Sequence, residues 1–123
     1  MLSRGDIVWV RDTLDPQGQH SKTRPGVLMQ RDCSRESLFV VFITGEYAVP
    51  LPPTQVRMHW QRGGHPRTGL YKDCVAVCSW YEAVPQDRIE SKLGECPEST
   101  MLAIVTGLRF LKEQKEKDAE GSS

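Results

Sequence analysis

Features that would by themselves assign this chain to a membrane or secreted class are missing. No stretch of its 123 residues approaches the roughly 20 consecutive apolar residues that a membrane-spanning helix requires. Arg4 and Asp6 interrupt the beginning of the chain, where a secretory leader would be apolar. We therefore expect a soluble, cytoplasmic protein without a signal peptide.

An excess of one charge is also missing. Lys and Arg together number 16, as do Asp and Glu, so the formal net charge is +0 and no overall field favours nucleic acid. A basic surface can therefore only be local. Residues 57–72 carry no acid, and their basic and histidine members are Arg57, His59, Arg62, His65, Arg67 and Lys72. The alternative for this segment is a solvated loop with balanced charges, because Gly63-Gly64 and Pro66 indicate a loop.

The four cysteines lack the spacing of a metal site. Cys33, Cys74, Cys78 and Cys96 do not form the two close pairs that structural zinc sites use. Only Cys74 and Cys78 are close, and on a strand residues four apart lie about 13 Å from each other. That separation is too long for a shared metal or a disulfide. We expect buried thiols, no metal and no cofactor.

Apolar and β-branched runs separated by turn residues predict five or six strands. A strand at residues 7–10 is followed by a long loop at 11–23, and strands are then predicted at 27–30, 38–43, 54–60 and 73–81. The run at 38–43 is apolar at every position, which is typical of a strand buried on both faces. The run at 54–60 alternates, with Gln55, Arg57 and His59 on its polar face.

The remainder of the chain is predicted to be helical and then polar. Residues 84–92 indicate a short helical turn that Leu93-Gly94 would end. A C-terminal helix begins near Pro97–Thr100, and its apolar stripe contains Met101, Leu108 and Leu111. Residues 113–123 are expected to form a tail without regular structure. The domain is thus expected to span residues 1–112, with an α+β fold that combines a small β-barrel and a C-terminal helix.

The segment from Lys22 to Met29 joins a basic turn to an apolar strand. Pro25 favours an extended conformation at Arg24, which places this arginine at a loop-to-strand junction. Thr44 and Gly45 follow the central apolar run. An arginine before a proline is commonly a surface residue, and a threonine that ends a strand is commonly a turn residue. These structural interpretations therefore stand beside any catalytic one.

Seven segments of the chain resemble the MazF/PemK family of toxins. They are residues 5–10, 22–28, 41–44, 53–56, 68–76, 83–89 and 92–94, so the resemblance extends over roughly residues 4–112. It implies an SH3-like barrel of five to seven strands that forms a homodimer and is held in check by a cognate antitoxin. It also implies a metal-independent endoribonuclease, an mRNA interferase that cleaves single-stranded RNA and leaves 2′,3′-cyclic phosphate and 5′-hydroxyl ends.

The resemblance assigns the catalytic positions to Arg24 and Thr44. An arginine suits a phosphate because its planar group is a fixed charge and a bidentate donor. His20 is a candidate base, because it is the only nearby group that titrates near neutrality. The predicted RNA-binding residues are Lys22, Gln55, Arg57 and His59, and His20, His59 or Trp60 could stack on a base.

Two other functions stay open at this point. Some relatives carry an arginine–aspartate pair in the late buried strand, whereas this chain has Val77-Cys78-Ser79-Trp80 there. The departure leaves room for an inactive member that binds nucleic acid or protein without cutting. A gyrase poison of the CcdB type ranks third, because those toxins act through a C-terminal Trp-Gly-Ile and this chain ends Glu120-Gly121-Ser122-Ser123.

Overall fold

A six-stranded antiparallel sheet with one long helix forms the structure, a computed structural model that describes residues 2–32 and 36–121. The strands are β1 (Asp6–Leu14), β2 (Ser21–Asp32), β3 (Ser37–Thr44), β4 (Gln55–Arg57), β5 (Val75–Pro85) and β6 (Ile89–Glu95). They lie in the order β4-β5-β3-β2-β1-β6, so that β4 and β6 are the two edges of an open sheet. A single turn of 3₁₀ helix, Gln86–Arg88, precedes β6, and helix α1 runs from Glu98 to Gly121. The predicted α+β class with a C-terminal helix is confirmed.

Both faces of the sheet are covered with apolar side chains. On one face, Val41 and Ile43 of β3 pack in a cluster that includes Met101 and Ile104 of α1. On the other face, Val40 and Phe42 belong to a second cluster with residues of β1 and β2. The uninterrupted apolar run at residues 38–43 of β3 follows from this arrangement, because each of these six residues meets one cluster or the other.

Strands β1 and β2 form a hairpin where the sequence predicted a long loop. Thr13 pairs with Lys22 and Leu14 with Ser21, so the connection is confined to residues 15–20. The Asp15 carboxylate organises this turn, since it accepts hydrogen bonds from the backbone N–H of Gln19 at 2.8 Å and of His20 at 3.2 Å. Those bonds, chiefly that from Gln19, lower the pKa of Asp15. Residues 11–14 and 21–23 of the expected loop are thus strand residues, and only residues 15–20 form the connection.

The segment expected to be a helical turn is mostly β6. Only Gln86–Arg88 is helical, and residues 89–95 pair with β1, including Ile7 with Gly94. Gly94 does not end a helix. A Cβ at this position would overlap the backbone carbonyl of Thr68, so glycine permits the close approach of two chain segments.

Strand β4 is shorter than the alternation in sequence predicted. It ends at Arg57, and His59 and Trp60 lie exposed beyond it, although Met58 is buried. The long β4–β5 loop that follows crosses to the opposite edge of the sheet. There the backbone N–H of Glu95 donates to the carbonyl of Arg67 at 2.8 Å.

Helix α1 continues to Gly121, where the sequence predicted a tail without regular structure. The charges that suggested a tail are spaced to support a helix, because Lys112 and Glu116, and likewise Glu113 and Lys117, lie four residues apart. The boundary of the toxin-like domain at residue 112 stays a prediction. No helix among the described residues is long and apolar enough to span a membrane.

Three of the cysteines are buried, free thiols, namely Cys74, Cys78 and Cys96. Burial raises the pKa of each to about 11. The fourth, Cys33, lies outside the described residues. Within those residues no group of histidine, cysteine and carboxylate side chains is placed to hold a metal ion.

Candidate active site around Arg24

Arg24 is held by two backbone carbonyls at the base of the β1–β2 hairpin. Its Nε donates to the carbonyl of Thr13 at 3.0 Å, and its Nη2 donates to the carbonyl of His20, also at 3.0 Å. Its Cζ lies 5.4 Å from the centre of the Trp80 ring, in the range of a cation–π contact. These two bonds use two of the five N–H donors of the guanidinium in the described part of the chain. The side chain is thus oriented by groups that carry no opposing full charge.

The local sequence explains this placement. Arg24 pairs with Val10 across the hairpin, whereas the next recorded pair joins Thr13 to Lys22. Residues 11 and 12 therefore form a bulge in β1, which turns the chain just before Thr13. The carbonyl of Thr13 is thereby brought within reach of Arg24 Nε.

Thr44 lies at the same end of the sheet as Arg24. The recorded β2–β3 pairing begins with Gly26 opposite Phe42, and Arg24 and Thr44 lie two residues beyond that pair on their respective strands. The Thr44 hydroxyl accepts a hydrogen bond from the backbone N–H of Glu46 at 3.1 Å. A hydroxyl that accepts in this way keeps its own O–H available to donate.

His20 and Lys22 belong to the same hairpin. The backbone carbonyl of His20 holds Arg24, and its side chain is exposed. Lys22 is exposed on β2 opposite Thr13. The structure therefore brings the predicted base and the predicted phosphate-contacting lysine to the same ribbon as Arg24.

The predicted RNA-binding residues of β4 are split. Val75 pairs with both Thr44 and Arg57, so Arg57 lies two strands from Thr44, or about 10 Å at ordinary strand spacing. Its Cζ is 5.6 Å from the centre of the Tyr47 ring. Gln55 is on the same strand, and its buried Oε1 has no hydrogen-bond partner in the described residues. His59 is separated from this group, and its ring lies 6.0 Å from that of His65.

A tyrosine–aspartate pair completes the group near Thr44. The Tyr47 hydroxyl donates to Asp73 Oδ1 at 2.6 Å, and this bond raises the pKa of Tyr47. The arrangement gives this end of the sheet an aromatic ring with Arg57 over it and a carboxylate at its hydroxyl.

Sequence reasoning missed Trp80. The β3–β5 pairing joins Val41 to Tyr81 and Ile43 to Ala76, so Phe42 alone faces residues 77–80 of β5. This irregularity puts the ring centroid of Trp80 5.2 Å from that of Phe42, where Trp80 also meets Arg24. The absence at residues 77–80 of the arginine–aspartate pair that some relatives carry could have drawn attention to this tryptophan.

Sequence reasoning also missed Arg88, for which the sequence offers no signal. Arg88 Nη1 donates to Glu82 Oε1 at 2.6 Å, and its Nε donates to the carbonyl of Arg11 at 3.0 Å. Because its partners in β1 are remote in sequence and are backbone atoms, no motif could indicate the contact.

A cleft of about 390 Å³ adjoins Trp80. The hairpin turn forms one side and aromatic residues of β3 and β5 form the other, and its lining includes Asp12, Asp15, Phe42, Tyr81 and Glu82. The guanidinium of Arg24 contributes to the lowered pKa of Asp15, so the two charges influence each other across the turn. The cleft thus carries three carboxylates, those of Asp12, Asp15 and Glu82, beside the Trp80 ring that Arg24 contacts.

Comparisons with known proteins give one family and one fold. The chain is similar to an endoribonuclease from Mycobacterial species, with 23% identity, a TM-score of 0.57 and coverage of 85% of each chain. It is also similar to an endoribonuclease in complex with its cognate antitoxin from Mycobacterial species, with 21% identity, a TM-score of 0.59 and coverage of 88% of this chain and 91% of that one. The Mycobacterium tuberculosis toxin MazF-mt6 is 19% identical, with a TM-score of 0.57 over 81% of this chain and 90% of that one.

These structural likenesses establish a shared fold, while no curated protein matches the chain. A family model, described as the PemK-like, MazF-like toxin of type II toxin–antitoxin systems, matches residues 3–111. That match extends over the whole of the sheet and slightly more than half of α1. The chain therefore belongs to the PemK-like, MazF-like toxin family.

Proposed function

We propose that this protein is a sequence-specific, metal-independent endoribonuclease, the toxin of a toxin–antitoxin pair. The observation that carries the proposal is the placement of Arg24. Two backbone carbonyls and the Trp80 ring fix the guanidinium, while its other donors bond no group in the described residues and are proposed to bind a phosphate. A fixed cation that needs no reorganisation during reaction is what stabilises developing negative charge most effectively.

The proposed reaction uses the 2′-hydroxyl of the substrate as the nucleophile. A base removes its proton, O2′ bonds to phosphorus, the bond from phosphorus to O5′ breaks, and an acid protonates O5′. The products are a 2′,3′-cyclic phosphate and a 5′-hydroxyl. Arg24 stabilises the phosphorane dianion by bidentate donation, and the Thr44 hydroxyl donates to a non-bridging oxygen. His20 is proposed as the base because its exposed ring is carried on the turn that also holds Arg24.

Single-stranded RNA is proposed to lie along the end of the sheet that contains Arg24 and Thr44. Lys22 contacts a phosphate from the hairpin, and Gln55 and Arg57 contact the RNA from β4. His59 lies farther along the same path, beyond the end of β4. The proposal includes a homodimer, a cognate antitoxin as partner and a cytoplasmic location.

A cleavage assay tests the proposal. A long RNA is incubated with the protein in EDTA, and the ends of the fragments are mapped by primer extension and tested for 5′-hydroxyls. We expect discrete fragments with 5′-hydroxyl ends from the native protein. Arg24→Ala is expected to abolish cleavage with the fold intact, whereas the control Arg109→Ala, at an exposed position of α1, should cleave normally.

Other outcomes point elsewhere. Undiminished cleavage by Arg24→Ala would discard the role given to this arginine. Fragments that disappear in EDTA would refute the metal-independent mechanism. RNA binding without any cleavage would replace the proposal by the alternative of an inactive binding module.

A further inference from the structure

A second arginine, Arg88, reaches the bulge of β1 from the side opposite the hairpin. Its Nε donates to the carbonyl of Arg11 at 3.0 Å, and its Nη2 donates to the carbonyl of Asp12 at 3.0 Å. The same Nη2 lies 3.4 Å from Thr13 Oγ1. The donors of one guanidinium therefore contact three successive residues of β1.

The bulge needs such a partner. Residues 11 and 12 lie between the pairs Val10–Arg24 and Thr13–Lys22. Asp12 has a backbone φ of 53°, a left-handed conformation that residues other than glycine rarely adopt. A bulge leaves carbonyls without a ladder partner, and such groups need a donor from elsewhere. Arg88 supplies donors to both carbonyls, and the fork of its guanidinium makes this possible from a single side chain.

Arg88 is itself fixed by Glu82. The Nη1–Oε1 distance is 2.6 Å, and the Arg88 side chain is 20% exposed whereas that of Glu82 is 42% exposed. Arg11 donates in return to the backbone carbonyl of Asp87, so the bulge and the 3₁₀ turn are bonded in both directions. Glu82 orients Arg88, and Arg88 holds the bulge.

Thr13 links this network to the candidate catalytic group. It is 1% exposed, and its Oγ1 donates to the carbonyl of Val10 at 3.0 Å. Its carbonyl is the acceptor for Arg24 Nε. A change in the backbone at residues 11–13 therefore changes the direction of the bond that orients Arg24.

We propose that Arg88 is a positioning residue for Arg24, acting through the backbone of the β1 bulge and the carbonyl of Thr13. The kinetic consequence rests on the function proposed above, whereas the structural consequence does not. Arg88 touches no substrate in this scheme. It determines how the guanidinium of Arg24 is presented to the scissile phosphate.

The test compares the full-length protein with Arg88→Met, Arg88→Lys and the exposed-arginine control Arg109→Met. Three quantities are measured: kcat on a cleavable RNA, the Kd for the same RNA with a 2′-deoxy sugar at the scissile position, and the solvent exchange of the Arg24 Nε–H by ¹⁵N NMR. The Arg24 resonance is identified by its loss in Arg24→Lys. The exchange measurement needs no enzymatic activity.

For Arg88→Met we expect faster exchange of the Arg24 Nε–H and a fall in kcat of roughly 10- to 100-fold, the order that a small misplacement costs. The Kd should change by less than about threefold, because a loss confined to the transition state leaves substrate binding intact. Arg88→Lys should recover only part of the loss, since an ammonium cannot replace the fork. Arg109→Met should match the native protein in all three quantities.

Unchanged Nε–H exchange in Arg88→Met, or unchanged kcat despite faster exchange, would overturn the proposal. A parallel rise in Kd for the uncleavable RNA would make Arg88 a binding residue and would also overturn it. If Arg88→Met fails to fold, Glu82→Gln replaces it, because this variant keeps the arginine and removes its charged partner. The same three quantities, measured on Glu82→Gln, then decide whether Arg88 positions Arg24. If the native protein cleaves no RNA, the proposed function fails, and the exchange rate alone decides the positioning role.

Discussion

The guanidinium of Arg24 lies against the indole of Trp80, with 5.4 Å between Cζ and the ring centre. Trp80 in turn packs on Phe42, whose ring centroid is 5.2 Å away. The Trp80 ring covers one side of Arg24, while the carbonyls of Thr13 and His20 accept from two of its nitrogens. Within the described residues Arg24 forms no salt bridge, and its contact with Trp80 joins it to the second apolar cluster.

The contact predicts a graded response at position 80. Trp80→Leu removes the ring, and cleavage should fall by roughly two- to fivefold, since an exposed cation–π contact contributes about 0.5–1 kcal/mol. Trp80→Phe keeps an aromatic face and should lose less. The measurement is the steady-state cleavage rate of each variant on one RNA. Equal rates for Trp80→Leu and the native protein would show that the contact between Arg24 and Trp80 does not contribute to cleavage.

Thr44 provides a test that separates its hydroxyl from its shape. Thr44→Val preserves the branched side chain but removes the oxygen, and kcat should fall by roughly 100-fold if that oxygen donates to the reacting phosphate. Thr44→Ser retains the oxygen and should recover most of the rate. Thermal unfolding of both variants serves as the control, because Thr44→Val also removes the acceptor for Glu46 N–H. If Thr44→Val cleaves at the native rate, Thr44 is a turn residue.

Asp15 predicts a pH dependence of stability. The pKa of Asp15 is lowered from its usual value of 3.8, chiefly by the backbone N–H of Gln19, so folding favours the ionised form of this carboxyl. The ionised carboxylate therefore stabilises the folded protein at pH values above the pKa that Asp15 has in the unfolded chain. This stabilisation is lost as the pH falls through the lower pKa that Asp15 has in the folded protein.

The melting temperature of Asp15→Ala should thus lie below that of the native protein near neutral pH. The gap should close as the pH is lowered through 3.8 and below. Asp118→Ala, exposed on α1, is the matched control and should show no such pH-dependent gap. A gap that persists in acid would assign the effect to something other than the carboxylate's charge.

Any residue with a Cβ at position 94 is expected to destabilise the fold. A Cβ at this position would overlap the Thr68 carbonyl, so Gly94→Ala must displace backbone and should lower the free energy of unfolding by about 1–3 kcal/mol. At Gly45 the nearest atom to an added Cβ is the Asp73 carbonyl oxygen at 3.6 Å, an ordinary contact. Gly45→Ala should therefore stay within about 0.5 kcal/mol. Urea denaturation measures both, and equal values would contradict the close packing at Gly94.

The buried cysteines predict slow thiol chemistry. With a pKa of about 11, Cys74, Cys78 and Cys96 carry little thiolate at neutral pH and are also shielded. The Cys33→Ser variant, in which these three thiols remain, should resist a thiol reagent such as DTNB while it is folded. The same variant unfolded in urea should react at all three sulfurs. Rapid reaction of the folded protein would show that one of these thiols is accessible.

The strands with strong apolar content could be predicted from the sequence, as could the beginning of α1. The hairpin between Asp6 and Asp32 could not be predicted in full, because residues 11–13 and 21–23 are polar and are ordered by pairing across the hairpin and by contacts with Arg88. Strand β6 was missed for a related reason. Gly94 looks like a helix cap in sequence, yet its small size serves a contact with Thr68, far along the chain.

The site shows the same limit. Arg24 and Thr44 could be proposed because the sequence predicted each at the end of a strand and a family resemblance assigns them a role, although Arg24 lies within β2 in the structure. Trp80 and Arg88 depend on a bulge in β5 and a bulge in β1, and neither bulge has a sequence signal here. Contacts between a side chain and a remote backbone carbonyl, such as Arg88 to Arg11, leave no pattern of residue types to recognise.

The contact between the β4–β5 loop and β6 also bears on solubility. An edge strand with free N–H and C=O groups is a template on which another molecule can add a strand. At the end of β6, the outward N–H of Glu95 is already taken by the carbonyl of Arg67, and Thr68 lies against Gly94. The chain thus covers part of its own exposed edge, and loosening this loop should favour aggregation before it unfolds the sheet.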